Sequence, residues 1–150
     1  LVINSCSVLA EIVDIANTWP QWYTFIKVNT GMTEMPRPTM YGVQQPIHIV
    51  WKWEAKEKYV VIGHCCESGD LLTCKLYEQE TIEERELREA ELGDMIIFDG
   101  VGAYNASMSM KNYNSFPEAG EILIRKNGDI VEIRKRQTLE QMLQNEITVL

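Results

Sequence analysis

From residue 23 onward the apolar residues of this chain gather into short runs rich in Val, Ile, Tyr, Phe and Trp, at 23–28, 47–53, 59–62 and 95–98. β-branched and aromatic side chains pack well on a pleated, half-buried surface, so these runs predict strands and the middle of the chain reads as sheet. The sharpest local signal lies near the end. Residues 121–125 and 129–134 alternate apolar and polar side chains around Asn127-Gly128, a pair that readily adopts the positive φ values of a tight hairpin turn. Thr138, followed three residues later by Gln141, predicts a capped helix start, with Leu139, Met142 and Leu143 on one face of a short helix that covers an end of the sheet. The opening reads differently: apolar residues at 8, 9, 12, 13, 15 and 16 fit a helix slightly better than a strand.

A chain of 150 residues with 45% hydrophobic content has the size of one domain with one core. Its formal charge of -8, with Lys and Arg scattered, argues against nucleic acid, whose affinity comes mainly from clustered basic residues releasing counterions. No run approaches eighteen apolar residues and no secretory leader pattern opens the chain, so a soluble protein is expected. The four cysteines, Cys6, Cys65, Cys66 and Cys74, include no CxxC pair and are too few for a disulfide scaffold, which suits a reducing cytosol. Because the chain starts at Leu1 without a methionine, a further upstream part is expected. Residues 30–42 and 100–117, long and irregular in pattern, are expected to be binding loops. The charged run 83–91 reads as a solvated connector.

Cys66, Glu67, Ser68, Gly69 and Asp70 follow the apolar run 59–62 closely, so a thiol and three oxygen-bearing side chains sit where a strand ends and the backbone turns. Such a cysteine can donate a proton or attack, and an adjacent carboxylate can orient an amine; equally, a Cys followed by a Ser-Gly-Asp turn occurs in inert proteins. His64, Cys65 and Cys66 are adjacent and point to alternating faces of extended backbone, so they do not form a metal site. His48 reads as a packed or half-exposed strand residue. Arg37 lies between Pro36 and Pro38, a few residues before Tyr41. The prolines restrict the backbone, so Arg37 reads either as a two-pronged carboxylate clamp or as a surface residue on a rigid turn. Gly100-Val101-Gly102-Ala103-Tyr104 follows the run 95–98, and its glycines let backbone or a phenol approach a ligand; it lacks the GxGxxG spacing of a dinucleotide site.

Three separated blocks together resemble the C-terminal half of diaminopimelate decarboxylases: NTGMTEMPRPTMYG at 29–42, GHCCESGDLL at 63–72, and GDMIIFDGVGAYNASMSMKNYNSFPEAGEILI at 93–124. Their order and spacing match, and RKRQTLEQML at 134–143 is similar to the family's closing basic strand and helix. The resemblance implies a fold-type III enzyme dependent on pyridoxal 5'-phosphate (PLP). Its N-terminal (β/α)8 barrel holds the cofactor lysine, and a mainly β, Greek-key sandwich or barrel-like C-terminal domain carries a short closing helix. Residues 1–150 would be that second domain, with 1–22 as the connection from the barrel and 8–15 as a strand, against the local helical reading. By motif position Cys66 and Glu67 would reach the active site of the partner subunit in a homodimer, with Cys66 the proton donor to the substrate α-carbon. Arg37 and Tyr41, together with Glu67, would bind substrate, and Tyr104 would lie near the cofactor phosphate. Gln45 and Asn29 depart from the residues many relatives carry.

The resemblance further implies decarboxylation of meso-diaminopimelate to lysine in the cytoplasm, with the isolated domain inactive for want of the barrel lysine. An ornithine, arginine or carboxynorspermidine decarboxylase and a non-catalytic dimerisation or regulatory homologue are the alternatives.

Overall fold

The computed structural model describes residues 2–20, 22–53 and 56–147. They divide into two compact units, with the boundary after Met110. The first contains β1 (Ser7–Asn17), β2 (Thr24–Val28), α1 (Arg37–Tyr41), β3 (Ile47–Ile49), β4 (Lys56–Ile62), β5 (Cys74–Lys75), β6 (Glu78–Ile82), β7 (Arg85–Arg88) and β8 (Met95–Asp99). Six of these strands form one sheet in the order β3-β8-β1-β2-β4-β7. Every pairing is antiparallel except β2 with β4. The outermost strands, β3 and β7, approach each other, so the sheet curls into a nearly closed barrel. β5 and β6 form a separate two-stranded ribbon.

The opening segment is a strand rather than a helix. Ala10 and Ile12 are buried two residues apart, while Leu9, Glu11 and Val13 face out. A bulge between Ile12 and Asp14 then shifts the register, and Ile15 packs on the core. Inward positions 10, 12 and 15 mix spacings of two and three, which is why the apolar pattern imitated a helical stripe.

The core inside the curl is built from Ile12, Ile26, Val28, Met35, Val61, Ile96 and Phe98. Val60 points the other way, into a second cluster with Leu71 and Cys74. β4 is thus covered on both faces, and its sequence shows it as the uninterrupted run Tyr59-Val60-Val61.

Two further expectations need correction. The charged run 83–91 is not a connector throughout: β7 pairs with β4 and turns Leu87 into the core while Glu86 and Arg88 stay outside. One inward apolar residue among charges suffices for an edge strand, and the charges discourage association through that edge. The run 47–53 is strand only as far as Ile49; Trp51 has φ +62° and leads the chain out, leaving Trp51 and Trp53 exposed.

In the second unit β9 (Glu121–Ile124) and β10 (Ile130–Arg134) form the expected hairpin. Its turn has three residues, closed by Arg125 N–H donating to Asp129 O and Gly128 N–H to Arg125 O, each at 2.9 Å. Only Gly128 takes a positive φ, so the glycine alone carries the left-handed step. Thr138 and Gln141 make the capping box that starts α2 (Leu139–Leu143). No residue of α2 is buried.

Candidate functional site

Strand directions decide which loops share an end of the sheet. The register pairs Ser7 with Asp99, Ile47 with Phe98, Ile12 with Val28, and Lys27 with Ile62. One end of the sheet therefore carries the starts of β1 and β3 and the finishes of β2, β4 and β8. The segments leaving that end are residues 29–46, 63–73 and 100–110, and they contain Arg37, Tyr41, Cys66, Glu67 and Tyr104. The opposite end carries the β1–β2 and β3–β4 connections, which hold all four tryptophans.

Segments 29–46 and 63–73 are fastened together by one buried carboxylate. Asp70 accepts from the backbone N–H of Met32 at 2.7 Å and of Cys65 at 2.9 Å, and from the Cys65 thiol. A methyl group at Gly31 or at Gly63 would run into the Asp70 carboxylate, so both glycines are needed for this close approach. Thr39 Oγ1 donates to Gly69 O at 2.7 Å, and His64 N–H donates to Thr30 O at 3.1 Å. Met110 N–H donates to Met32 O at 3.2 Å, joining segment 100–110 to the same group. Residues 30–42, expected as a binding loop, are packed over part of their length, with Met32, Met35 and Pro38 buried.

Burial pushes the Asp70 carboxyl above its ordinary range, against the pull of its N–H donors. Burial and the neighbouring Asp70 charge likewise push the Cys65 thiol up to about 12. The thiol locked in its protonated form on the isolated chain is thus Cys65, whereas Cys66 is exposed.

Each expected site residue has a definite place. Residues 64–69 form the tip of a reversal closed by Gly63 N–H to Asp70 O at 2.8 Å and by the pairing of Ile62 with Leu71. Glu67 starts the turn: its carbonyl accepts from Asp70 N–H at 3.0 Å, and its carboxylate accepts from Ser68 Oγ and Gly69 N–H at 3.3 and 3.4 Å. Cys66 and Glu67 are both presented outward. Arg37 opens α1, a single helical turn that ends at Gly42 in the left-handed conformation, with Tyr41 exposed on its last position. Arg37 Nη1 is shielded from solvent yet has no hydrogen-bond partner among the described residues.

Tyr104 is exposed on backbone with φ +56°. Its segment is tied to the start of the chain by Val101 N–H to Cys6 O at 3.1 Å and Gly102 N–H to Ile3 O at 2.9 Å; a side chain at Gly102 would strike Val2 O. An exposed phenol beside glycine-permitted backbone fits a hydrogen-bond donor to a phosphate, so the residues present suit PLP from one side. His48, outward on β3, meets Asp99 at 3.4 Å. His64 meets Thr33 and Cys65 meets Asp70, so the two side chains engage different partners.

Sequence reasoning missed Asp70 as the fastener, and with it Thr33, Glu34 and Thr39. The signal was present in Gly31 and Gly63, two glycines in separate blocks facing one carboxylate. Asn29, noted as a departure, donates no chemistry to the site: its Oδ1 accepts from Glu11 N–H at 2.8 Å and extends the β1–β2 pairing. Gln45 is buried with neither amide atom partnered among the described residues.

Residues 2–102 match the family model of the pyridoxal-dependent decarboxylase C-terminal sheet domain. The chain belongs to this decarboxylase family. Among decarboxylases of the family, the diaminopimelate decarboxylase of Buchnera aphidicola subsp. Acyrthosiphon pisum is 43% identical over 125 residues, covering 79% of this chain and 29% of that protein. A crystal structure of diaminopimelate decarboxylase matches with a TM-score of 0.87 at 33% identity, over 97% of this chain and 34% of that one. The M. jannaschii decarboxylase in complex with L-lysine matches with a TM-score of 0.82 at 29% identity, over 95% and 30% of the two chains. The chain spans about a third of the length of the relatives it matches. No helix among the described residues is long and apolar enough to cross a membrane.

Proposed function

We propose that this chain is the C-terminal domain of a longer, cytoplasmic, PLP-dependent decarboxylase that converts meso-diaminopimelate to lysine and carbon dioxide. The reading rests on one observation above all. A single end of the sheet carries a guanidinium with an unused, shielded N–H, fastened through Asp70 and Thr39 to a turn that presents an exposed thiol and carboxylate. A desolvated donor without a partner gains most from a charged acceptor, and the distal carboxylate of a diamino diacid is such a group.

When bound, PLP supplies the electron sink for the charge left as carbon dioxide departs. The remaining work falls to residues of this domain and of a barrel domain. Arg37 grips the distal carboxylate and Tyr41 bounds the same end of the substrate. Glu67, preset by the N–H of Gly69 and the hydroxyl of Ser68, orients the distal amine. The Cys66 S–H proton passes to the substrate α-carbon, forming the C–H bond and leaving a thiolate. Tyr104 donates its phenolic O–H toward the cofactor phosphate. Cys66 and Glu67 serve the active site of the second subunit of a homodimer, and the 150 residues alone do not decarboxylate.

In the full-length protein Cys66→Ala is expected to lower turnover by about a hundredfold or more, the usual worth of a positioned proton donor. Wild-type turnover and stereochemistry in that variant would show that Cys66 is not the donor. Assays with ornithine, arginine and carboxynorspermidine alongside meso-diaminopimelate test the substrate.

A further inference from the structure

Behind the Cys66–Glu67 turn lies a run of hydrogen bonds that the catalytic reading does not use. Thr33, buried, donates from Oγ1 to Glu34 Oε2 at 2.5 Å, and the same Oγ1 lies 2.7 Å from His64 Nε2. Thr30 Oγ1 adds a second donor to Glu34 Oε2 at 2.9 Å. A hydroxyl has one hydrogen. With that hydrogen given to Glu34, the Thr33 oxygen can only accept from the imidazole, so His64 carries its proton on Nε2 while Glu34 is ionised. When Glu34 is protonated the pattern reverses: Glu34 Oε2–H donates to Thr33 Oγ1, and Thr33 O–H donates to His64 Nε2. In this second arrangement a neutral His64 keeps its proton on Nδ1; when one proton crosses from the carboxyl to the hydroxyl oxygen as the hydroxyl's own proton crosses to Nε2, the products are an ionised Glu34 and an imidazolium. The Thr33 hydroxyl is paired on both sides in either arrangement.

We propose that Glu34, Thr33 and His64 form a hydroxyl-bridged proton relay that positions the Cys66–Glu67 turn by coupling a half-exposed imidazole to a carboxyl held inside the packed 30–42 segment. The inference rests on the reading that this turn serves catalysis. His64 is anchored at both ends of its residue, by its backbone N–H to Thr30 O and by its ring to Thr33 Oγ1, and it stands two residues before Cys66. Whatever the relay does to the ring is therefore transmitted to the stem of the turn. The titratable groups recorded around the relay include Asp70, whose charge acts on Glu34, and Cys65, which interacts with Asp70, Glu34 and Cys66. Burial raises the Glu34 carboxyl from its ordinary range while the Thr30 and Thr33 hydroxyls oppose that shift, which brings the two proton arrangements closer in energy.

The test uses full-length protein with ring-15N-labelled histidine, His64→Gln serving to identify the resonance. The relay predicts the Nε2–H form for neutral His64 once Glu34 is ionised. Glu34→Gln and Thr33→Val should each lower the His64 titration midpoint by about one pH unit, the effect of cutting an imidazolium off from a nearby carboxylate. Thr33→Ser, which keeps the hydroxyl, should restore it, and a merely structural Thr33 would give no such split. The same variants should move one limb of the pH–rate profile by the same amount. An Nδ1–H ring in the pH range where Glu34 is ionised, or a midpoint indifferent to Thr33→Val and Glu34→Gln, overturns the relay. Because the imidazole readout needs no turnover, a shifted midpoint in a protein lacking decarboxylase activity would leave the relay standing and remove the functional reading instead.

Discussion

Asp70 shows how much one side chain can organise. Its carboxylate serves two backbone donors from different segments, and replacing it with Asn keeps one acceptor while turning an NH2 toward the other N–H. Leaving a buried donor unpaired and losing charge-assisted bonds outweighs the relief of burying no charge, so Asp70→Asn should destabilise by about 2–4 kcal/mol in urea unfolding. The two desolvated carboxyls, of Glu34 and Asp70, also give pH dependence of a definite sign. Glu34 and Asp70 bind protons more tightly in the folded chain than at their ordinary values of 4.5 and 3.8. Their contribution is fully present below those values and is lost as pH rises through the raised ones. Glu34→Gln should therefore gain stability relative to the native chain as pH increases, and a pH-independent difference in urea midpoint would count against the account. The thiols should separate as well. Cys66 and Cys6, both exposed, should be the sites alkylated by iodoacetamide, while Cys65, held protonated by burial and Asp70, should resist; peptide mapping after brief exposure reads this directly.

At the scale of elements, the close approach of two segments to Asp70 leaves no room at Gly63. Gly63→Ala should lower stability by about 1–3 kcal/mol, as overpacking does, and should loosen the 64–69 tip, visible as faster amide exchange there. The strands marked by short runs of β-branched and aromatic residues, β2, β3, β4 and β8, were legible in the sequence, as were the hairpin at Asn127-Gly128 and the capping box at Thr138. β1 was legible through the family resemblance, which made 8–15 a strand, but not from its own apolar pattern, because its bulge breaks the two-residue period that identifies a strand. β7 was hidden by its own composition, since a single buried Leu87 among charges carries almost no apolar signal. The packing of residues 30–42 was invisible for another reason: a buried aspartate forty residues away holds them, and composition does not reveal which partner a backbone N–H finds.

For the molecule as a whole, strand direction sorts the chain into an end that carries Arg37, Cys66, Glu67 and Tyr104 and an end that carries the tryptophans. The candidate residues were legible because three short blocks stand in a recognisable order; that their segments leave one end of the sheet follows only from its register. All four tryptophans are at least 72% exposed. The isolated chain should emit at the wavelength of solvated indole and be readily quenched by acrylamide, and a strongly blue-shifted spectrum would show that this end is covered. The central claim, that the thiol and carboxylate complete a neighbouring subunit's site, is tested most directly by mixing two inactive full-length variants, one lacking the barrel's cofactor lysine and one carrying Cys66→Ala. If sites are shared, reassorted dimers recover about a quarter of wild-type activity, since half are mixed and each mixed dimer holds one intact site. Absence of recovery with mixed dimers demonstrably formed would contradict the account.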